Sequence, residues 1–340
     1  MKKKIGVGVI GVGTWGEIHV KVYAKHPMVE LRGIADANEK RVKEIAEKYN
    51  IKTYTTDYNI LLEDENINAV SIATPDFLHR EPAIAAAKAG KHILIEKPLA
   101  TSIEDAKEIV EVCKKANVKL MVDFHNRWNP PFVVAKEIIS KEEIGNPIYA
   151  YVRLNDTIYV PTEMIKWSEK SAVIWFIGSH AIDTLRWILN DEITKVYAVS
   201  RSEVLVNKGI NTPDVYLAIL HFKSGVKAIF ENSWIIPNSS PNIFDFKVNI
   251  IGSRGAIYID TSHNRCIEKV TEKKYSFPDV LCCYSLYDKP VGFAVESINY
   301  FIECIINDWP PIPSGEDGLI VCKVISAIIN SAKEGKVMEV

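Results

Sequence analysis

An apolar run, IGVGVI at residues 5–10, passes straight into GVGTWG at 11–16. A strand, a glycine-rich turn and a helix start in that order leave few folds open. The first glycine, Gly11, permits a tight turn, Gly13 lets backbone approach a pyrophosphate, and Gly16 lets helix and strand pack closely, while helix N–H groups face the anion. Thr14 and Trp15, between the last two glycines, are read as further contacts of the same ligand. The next apolar run, 29–35, ends at Asp36, which lies 36 − 16 = 20 residues beyond Gly16. An acid at that distance accepts hydrogen bonds from ribose hydroxyls and repels a 2′-phosphate. Together these signals predict bound NAD, with NADP as the alternative because Lys40 and Arg41 lie close by. A plain glycine loop beside a solvated strand end is the competing reading, and two signals in register argue against it.

Further strand-like runs, 68–73, 92–96 and 119–124, alternate with helical patterns. Between 104 and 116, Ala106, Ile109, Val110 and Cys113 recur at spacings of three and four, one apolar face on a charged helix. Such alternation predicts a doubly wound parallel sheet, whose ligands bind at the carboxyl ends of the strands. On that edge fall ATPDFLH (73–79), where Thr74 and Pro75 can wall a nicotinamide, and HILIEKP (92–98), which ends a buried strand with Glu96 and Lys97. His79 is assigned to packing or to the cofactor's edge.

A chain of 340 residues exceeds one ordinary core, so two domains are expected. The boundary is placed near Asp123, giving 1–122 as the dinucleotide domain and 123–340 as a substrate-binding α+β domain. In the second, 148–160 and the extended segments from 194 to 260 predict a large, mostly antiparallel sheet, supported by the alternation in VYLAILHF (215–222). Two helices, 293–307 and 316–334, close the chain. With a net charge of −2 there is no electrostatic call for nucleic acid or an anionic membrane. The six cysteines show neither CxxC spacing nor a disulfide framework, and the His, Asp and Glu residues show no metal-ligand spacing. No run reaches the ~20 apolar residues of a membrane span. A cytoplasmic location is therefore expected.

The succession GVGTWG, Asp36, ATPDFLH, EKP and finally GSHAID (178–183) resembles the Gfo/Idh/MocA oxidoreductases, over essentially the whole chain. The resemblance implies nicotinamide-dependent hydride transfer to or from a secondary hydroxyl carbon of a sugar, polyol or sugar derivative. It also implies a homo-oligomer, dimer or tetramer, joined through the open face of the C-terminal sheet. Lys97 matches the family's lysine between nicotinamide and substrate, a donor to the reacting oxygen and a proton relay. A partly desolvated lysine beside a cationic ring gives up its proton more readily, consistent with that role. Glu96 then orients Lys97 or pairs with it at the cofactor. His180 matches the family's second acid/base, and histidine titrates near neutrality. Asn126 and Arg127 match a polar stretch that approaches nicotinamide or substrate, with an ion-pair role for Arg127 as the structural alternative.

One position departs from the pattern. Many sugar and polyol dehydrogenases of the family carry an aspartate four residues before the histidine, where this chain has Phe176. An apolar ring there leaves substrate hydroxyls without an acceptor, at about 1–3 kcal/mol each. Tyr159 and Trp167 are the candidate replacements that contact substrate. Two other function classes compete: a glycoside-cleaving enzyme that oxidises transiently and eliminates while recycling NAD, and a sugar or NAD sensor without catalysis.

Overall fold

The computed structural model describes residues 4–263 and 266–340. By contact the chain divides into two units, one running to His125 and including Cys282–Ile320, the other comprising Asn126–Leu281 and Val321–Val340. By contact Cys282–Ile320 groups with the first unit, because the helix Phe293–Ile306 packs on the first helix and on the strand ending at Ile95. No local pattern encodes such a long-range return.

In the first unit β1 (Ile5–Ile10), α1 (Thr14–Lys25), β2 (Val29–Ala35), α2 (Glu39–Tyr49), β3 (Thr53–Thr55), α3 (Asn59–Glu63), β4 (Ala69–Ile72), α4 (Arg80–Lys88), β5 (His92–Ile95), α5 (Ile103–Lys115) and β6 (Leu120–Val122) alternate. The strands form a parallel sheet in the order β3-β2-β1-β4-β5-β6. Val7, Val9, Ile34, Val70, Ile72, Ile93, Leu94 and Ile95 are all fully buried, as a sheet covered on both faces requires. Helix α5 shows how local sequence sets an element. Ser102 caps it by accepting the Asp105 N–H at 3.1 Å, Glu104 and Asp105 occupy its first turn, and the buried face is Ala106, Ile109, Val110 and Cys113. The short strand β3 carries no apolar run and was not legible.

The second unit opens with α6 (Pro130–Ser140), then β7 (Pro147–Thr157), α7 (Ser179–Leu189), β8 (Ile193–Arg201), β9 (Val215–Phe222), β10 (Lys227–Ile236), β11 (Phe244–Gly252) and β12 (Ala256–Asp260). These strands pair in the order β12-β11-β7-β10-β9-β8, with Met338–Glu339 on the outer side of β8. Only the β7–β10 pairing among them is parallel. The alternation read in 215–222 is real: Tyr216, Ala218, Leu220 and Phe222 are buried, while Leu217 and Ile219 are exposed. No described helix is long and apolar enough to cross a membrane.

Candidate functional site

Parallel strands bring all their carboxyl ends to one edge of the sheet, and the order reverses between β1 and β4, the point where open α/β sheets bind ligands. Backbone bonds beyond the strand ends pin the residues there. Gly11 N–H donates to Ala35 O, Ala73 N–H to Ile10 O, Glu96 N–H to Ile72 O and Asp123 N–H to Ile95 O, at 2.7–2.8 Å. Asp36, Thr74, Lys97 and the glycine turn therefore share this edge by construction.

The turn itself fits a dinucleotide. Gly11 has φ +85°, a conformation that side chains rarely adopt, and a methyl on Gly16 would stand 1.9 Å from the Gly11 carbonyl oxygen. A methyl on Gly13, by contrast, would meet no protein atom within 4 Å, so space for phosphates opens in front of the α1 N-terminus. Gly13 and Thr14 are exposed and Trp15 half-buried. Asp36 accepts Val12 N–H on one oxygen at 2.8 Å and Asn38 N–H on the other at 2.9 Å. A carboxylate has about four lone-pair sites, so acceptor capacity for ribose hydroxyls remains. Arg41 is committed elsewhere: its Nε donates to Val12 O at 2.9 Å, Nη2 pairs with Glu17 at 2.6 Å and Nη1 reaches Glu44 at 3.3 Å. Burial would raise the Glu17 carboxyl, yet Lys48 and Arg41 together hold it below its ordinary value.

His79 sits between the ATPDFLH and EKP segments, with one ring nitrogen 2.8 Å from Pro98 O and the other 3.1 Å from Thr74 O. Burial lowers its pKa against the opposing field of Asp76. Pro75 precedes the turn Asp76–Leu78, where Asp76 Oδ1 accepts the Phe77 N–H.

Glu96 and Lys97 are both buried at the mouth of β5. Glu96 turns inward to His19 of α1, whose Nε2 lies 3.1 Å from Glu96 Oε1 and 3.7 Å from Asp123 Oδ2. The other imidazole nitrogen faces Ser71 Oγ at 3.1 Å, and Ser71 in turn meets Tyr23 OH at 2.7 Å. Ser297 Oγ donates to Asp123 Oδ1. Burial works against the charge on Glu96, but the His19 hydrogen bond and the fields of His19, Lys97 and His125 lower its pKa overall. Asp123 goes the other way, raised to about 7 by burial and by Glu96. His125, stacked on Trp15 at 5.0 Å, is lowered to about 4 by burial.

In the second unit, a π-helical turn, Ile174–Gly178, runs directly into α7, where His180 is buried. Arg127 grips Asp183 with two bonds, Nε to Oδ2 at 2.9 Å and Nη2 to Oδ1 at 2.6 Å. Both side chains are almost wholly buried, and the geometry is the structural alternative considered for Arg127. Asp183 thereby serves the ion pair. Phe176 and Trp167 are half-buried and meet edge to face at 6.0 Å. Tyr159 is 39% exposed and its N–H donates to Asn238 Oδ1. Asn126, buried, accepts the Asn129 N–H on its carbonyl as the chain enters α6.

His19 belongs to no motif in the sequence, and Asp123 enters there only as a domain boundary. The His19–Glu96 contact joins residues 77 apart, beyond any motif. The available signal was His19 lying three residues after Gly16, one turn into the helix whose start packs on β1.

Comparison with known proteins agrees with this geometry. A family model described as an oxidoreductase family with an NAD-binding Rossmann fold, GFO_IDH_MocA, matches residues 5–124. Its companion, described as the C-terminal alpha/beta domain of that family, matches 136–340. Among relatives, the myo-inositol 2-dehydrogenase of Thermotoga maritima is 30% identical over 92% of this chain and 91% of its own. The scyllo-inositol 2-dehydrogenase (NAD(+)) of Bacillus subtilis is 30% identical over 98% and 96%. Among solved structures, a probable dehydrogenase from Thermotoga maritima superposes with a TM-score of 0.85 at 27% identity, covering 98% of each chain.

Proposed function

Because the chain belongs to the Gfo/Idh/MocA oxidoreductase family, with its NAD-binding Rossmann fold, we propose that it is an NAD-dependent dehydrogenase acting on a secondary hydroxyl of a sugar, polyol or sugar derivative. The observation that carries this reading is Lys97, buried at the carboxyl mouth of β5, on the same sheet edge as the Gly11–Gly16 turn and Asp36. When bound, the nicotinamide supplies the hydride acceptor at its C4. Lys97 holds the reacting oxygen with Nζ and takes the hydroxyl proton as the carbon loses hydride, leaving a ketone. His180 is the second acid/base in this reading. Trp167, Phe176 and Tyr159 are assigned to the substrate, with the two touching rings offering an apolar wall. A carbohydrate that presents C–H rather than hydroxyl groups at that wall avoids the cost of unpaired polar groups.

Asp36 and the committed Arg41 favour NAD over NADP, since neither offers a 2′-phosphate a cationic partner. A cysteine set with neither CxxC spacing nor a disulfide framework fits a reducing cytoplasm, and the open face of the second unit's sheet suits a homo-oligomer. The test is turnover on a panel of inositols, aldoses, ketoses and anhydro sugars with each cofactor. One NADH per ketone formed is expected, with NAD preferred roughly tenfold or more, equivalent to about 1.4 kcal/mol. Product without net NADH would instead identify an oxidation–elimination cycle, and binding without any hydride transfer would identify a sensor.

A further inference from the structure

The buried cluster behind Lys97 holds more polar chemistry than a packing role needs. His19 Nε2 bears at most one hydrogen, yet two carboxyl groups face it, Glu96 at 3.1 Å and Asp123 at 3.7 Å. The three ligand-type atoms all lie within 4.8 Å of one another, and all three residues are buried. Glu96 is within hydrogen-bond reach and Asp123 is not. Two carboxylates so close in a closed interior do not both ionise freely, because each raises the cost of charging the other. Asp123 keeps a separate donor in Ser297, on the helix Phe293–Ile306.

On its far side the imidazole Nδ1 meets Ser71 Oγ, and Ser71 Oγ meets Tyr23 OH, hydroxyls that can each donate or accept. Resting on the reading of Lys97 as the acid/base, we propose that Asp123 and Glu96, which both face His19, share one titratable proton, with Asp123 its holder. Its gain or loss sets the charge that Lys97 feels. Asp123 is then a positioning residue, acting on the reaction only through Lys97.

The groups facing this cluster are consistent with that assignment. From α1 come His19 and Tyr23, whose phenol burial drives well above its ordinary value. After β4 come Asp76 and His79, the latter lowered by burial. After β5 come Glu96, lowered by His19 and Lys97 against its burial, and Lys97 itself. After β6 come His125, lowered to about 4 by burial, and Asp123, raised to about 7 by burial and Glu96. Near neutrality, Asp123 is the member whose proton is in play.

Infrared difference spectroscopy of the full-length protein reads this proton without any substrate. A protonated carboxyl band should disappear with a midpoint of about 7 in the parent and be absent from Asp123→Asn. In Ser297→Ala its midpoint should rise, because the hydroxyl that favours the carboxylate is gone. No titrating band across the neutral range, a band that survives in Asp123→Asn, or an unmoved midpoint in Ser297→Ala each overturns the assignment. The link to Lys97 is read from kcat/KM for alcohol oxidation, whose rise with pH should move to lower pH in Asp123→Asn by about one unit, the scale on which a nearby charge moves a buried group. Unchanged NAD affinity in that variant confirms an intact fold. A coincident pH profile in Asp123→Asn, with Lys97→Met inactive, overturns the coupling. Retained turnover in Lys97→Met overturns the assignment of Lys97, whatever the infrared result.

Discussion

His125 lies between Trp15, stacked at 5.0 Å, and Phe293, tilted at 5.6 Å, and its burial has a consequence for acid stability. Its folded pKa, about 4, is below the ordinary value of 6.5. The stabilisation this represents is therefore fully present above the unfolded value and is lost as pH falls through the folded one. At about 1.4 kcal/mol per pH unit, the loss approaches about 3 kcal/mol. A His125→Phe variant keeps the stack and has nothing to protonate. Urea unfolding at neutral pH and at the acid end should show the parent losing stability relative to this variant; parallel curves would contradict a buried, neutral His125. Asp123 carries the opposite sign, since its raised pKa favours the fold at low pH and that contribution is lost as pH rises through about 7. At this scale the sequence was legible where a residue's chemistry is local. Gly11 needs its positive φ, Gly16 its missing methyl, and Asp36 its place after β2. Asp123 and His19 were opaque, because what makes them notable is burial against Glu96 across three separate elements.

Among elements, the sheet of the second unit presents an unusual outer face. Cross-strand register aligns Tyr197 with Ile219, Ile219 with Ile229, Ile229 with Tyr151, Tyr151 with Asn249 and Asn249 with Tyr258. This row crosses six strands from β8 to β12, and Ile219, Ile229 and Tyr258 are 45%, 55% and 74% exposed. Polar rows flank it, Lys195–His221–Lys227 on one side and Glu231–Arg153–Lys247–Asp260 on the other. A largely apolar stripe, interrupted here by Asn249, with a charged rim is the pattern of an association surface. Replacing Ile229 by Asp is expected to shift the protein to monomer size in sedimentation velocity without lowering its NAD affinity. A parent protein that is monomeric, or a variant that sediments like the parent, would contradict this use of the face. The alternation in 215–222 made the two-faced sheet readable. The π-helical turn before His180 was not, since apolar spacing alone does not separate it from an ordinary helical start.

For the whole molecule, the alternation of strands and helices was enough to anticipate a parallel dinucleotide-binding sheet followed by a mostly antiparallel one. What it could not reveal was the return of Cys282–Ile320 to the first unit, which depends on contacts between segments far apart in the chain. That return matters chemically, because it delivers Ser297 to Asp123. Function at this scale comes down to whether the intact chain moves hydride with Lys97 as its proton acceptor. The direct measurement is single-turnover formation of NADH by the parent and by Lys97→Met, using whichever sugar or polyol the parent oxidises fastest, alongside NAD binding by fluorescence titration. NAD affinity is expected to stay within a few-fold of the parent while the rate falls by about 10²–10⁴, the usual contribution of a positioned acid/base. A variant that binds NAD normally and forms NADH at the parental rate would contradict it.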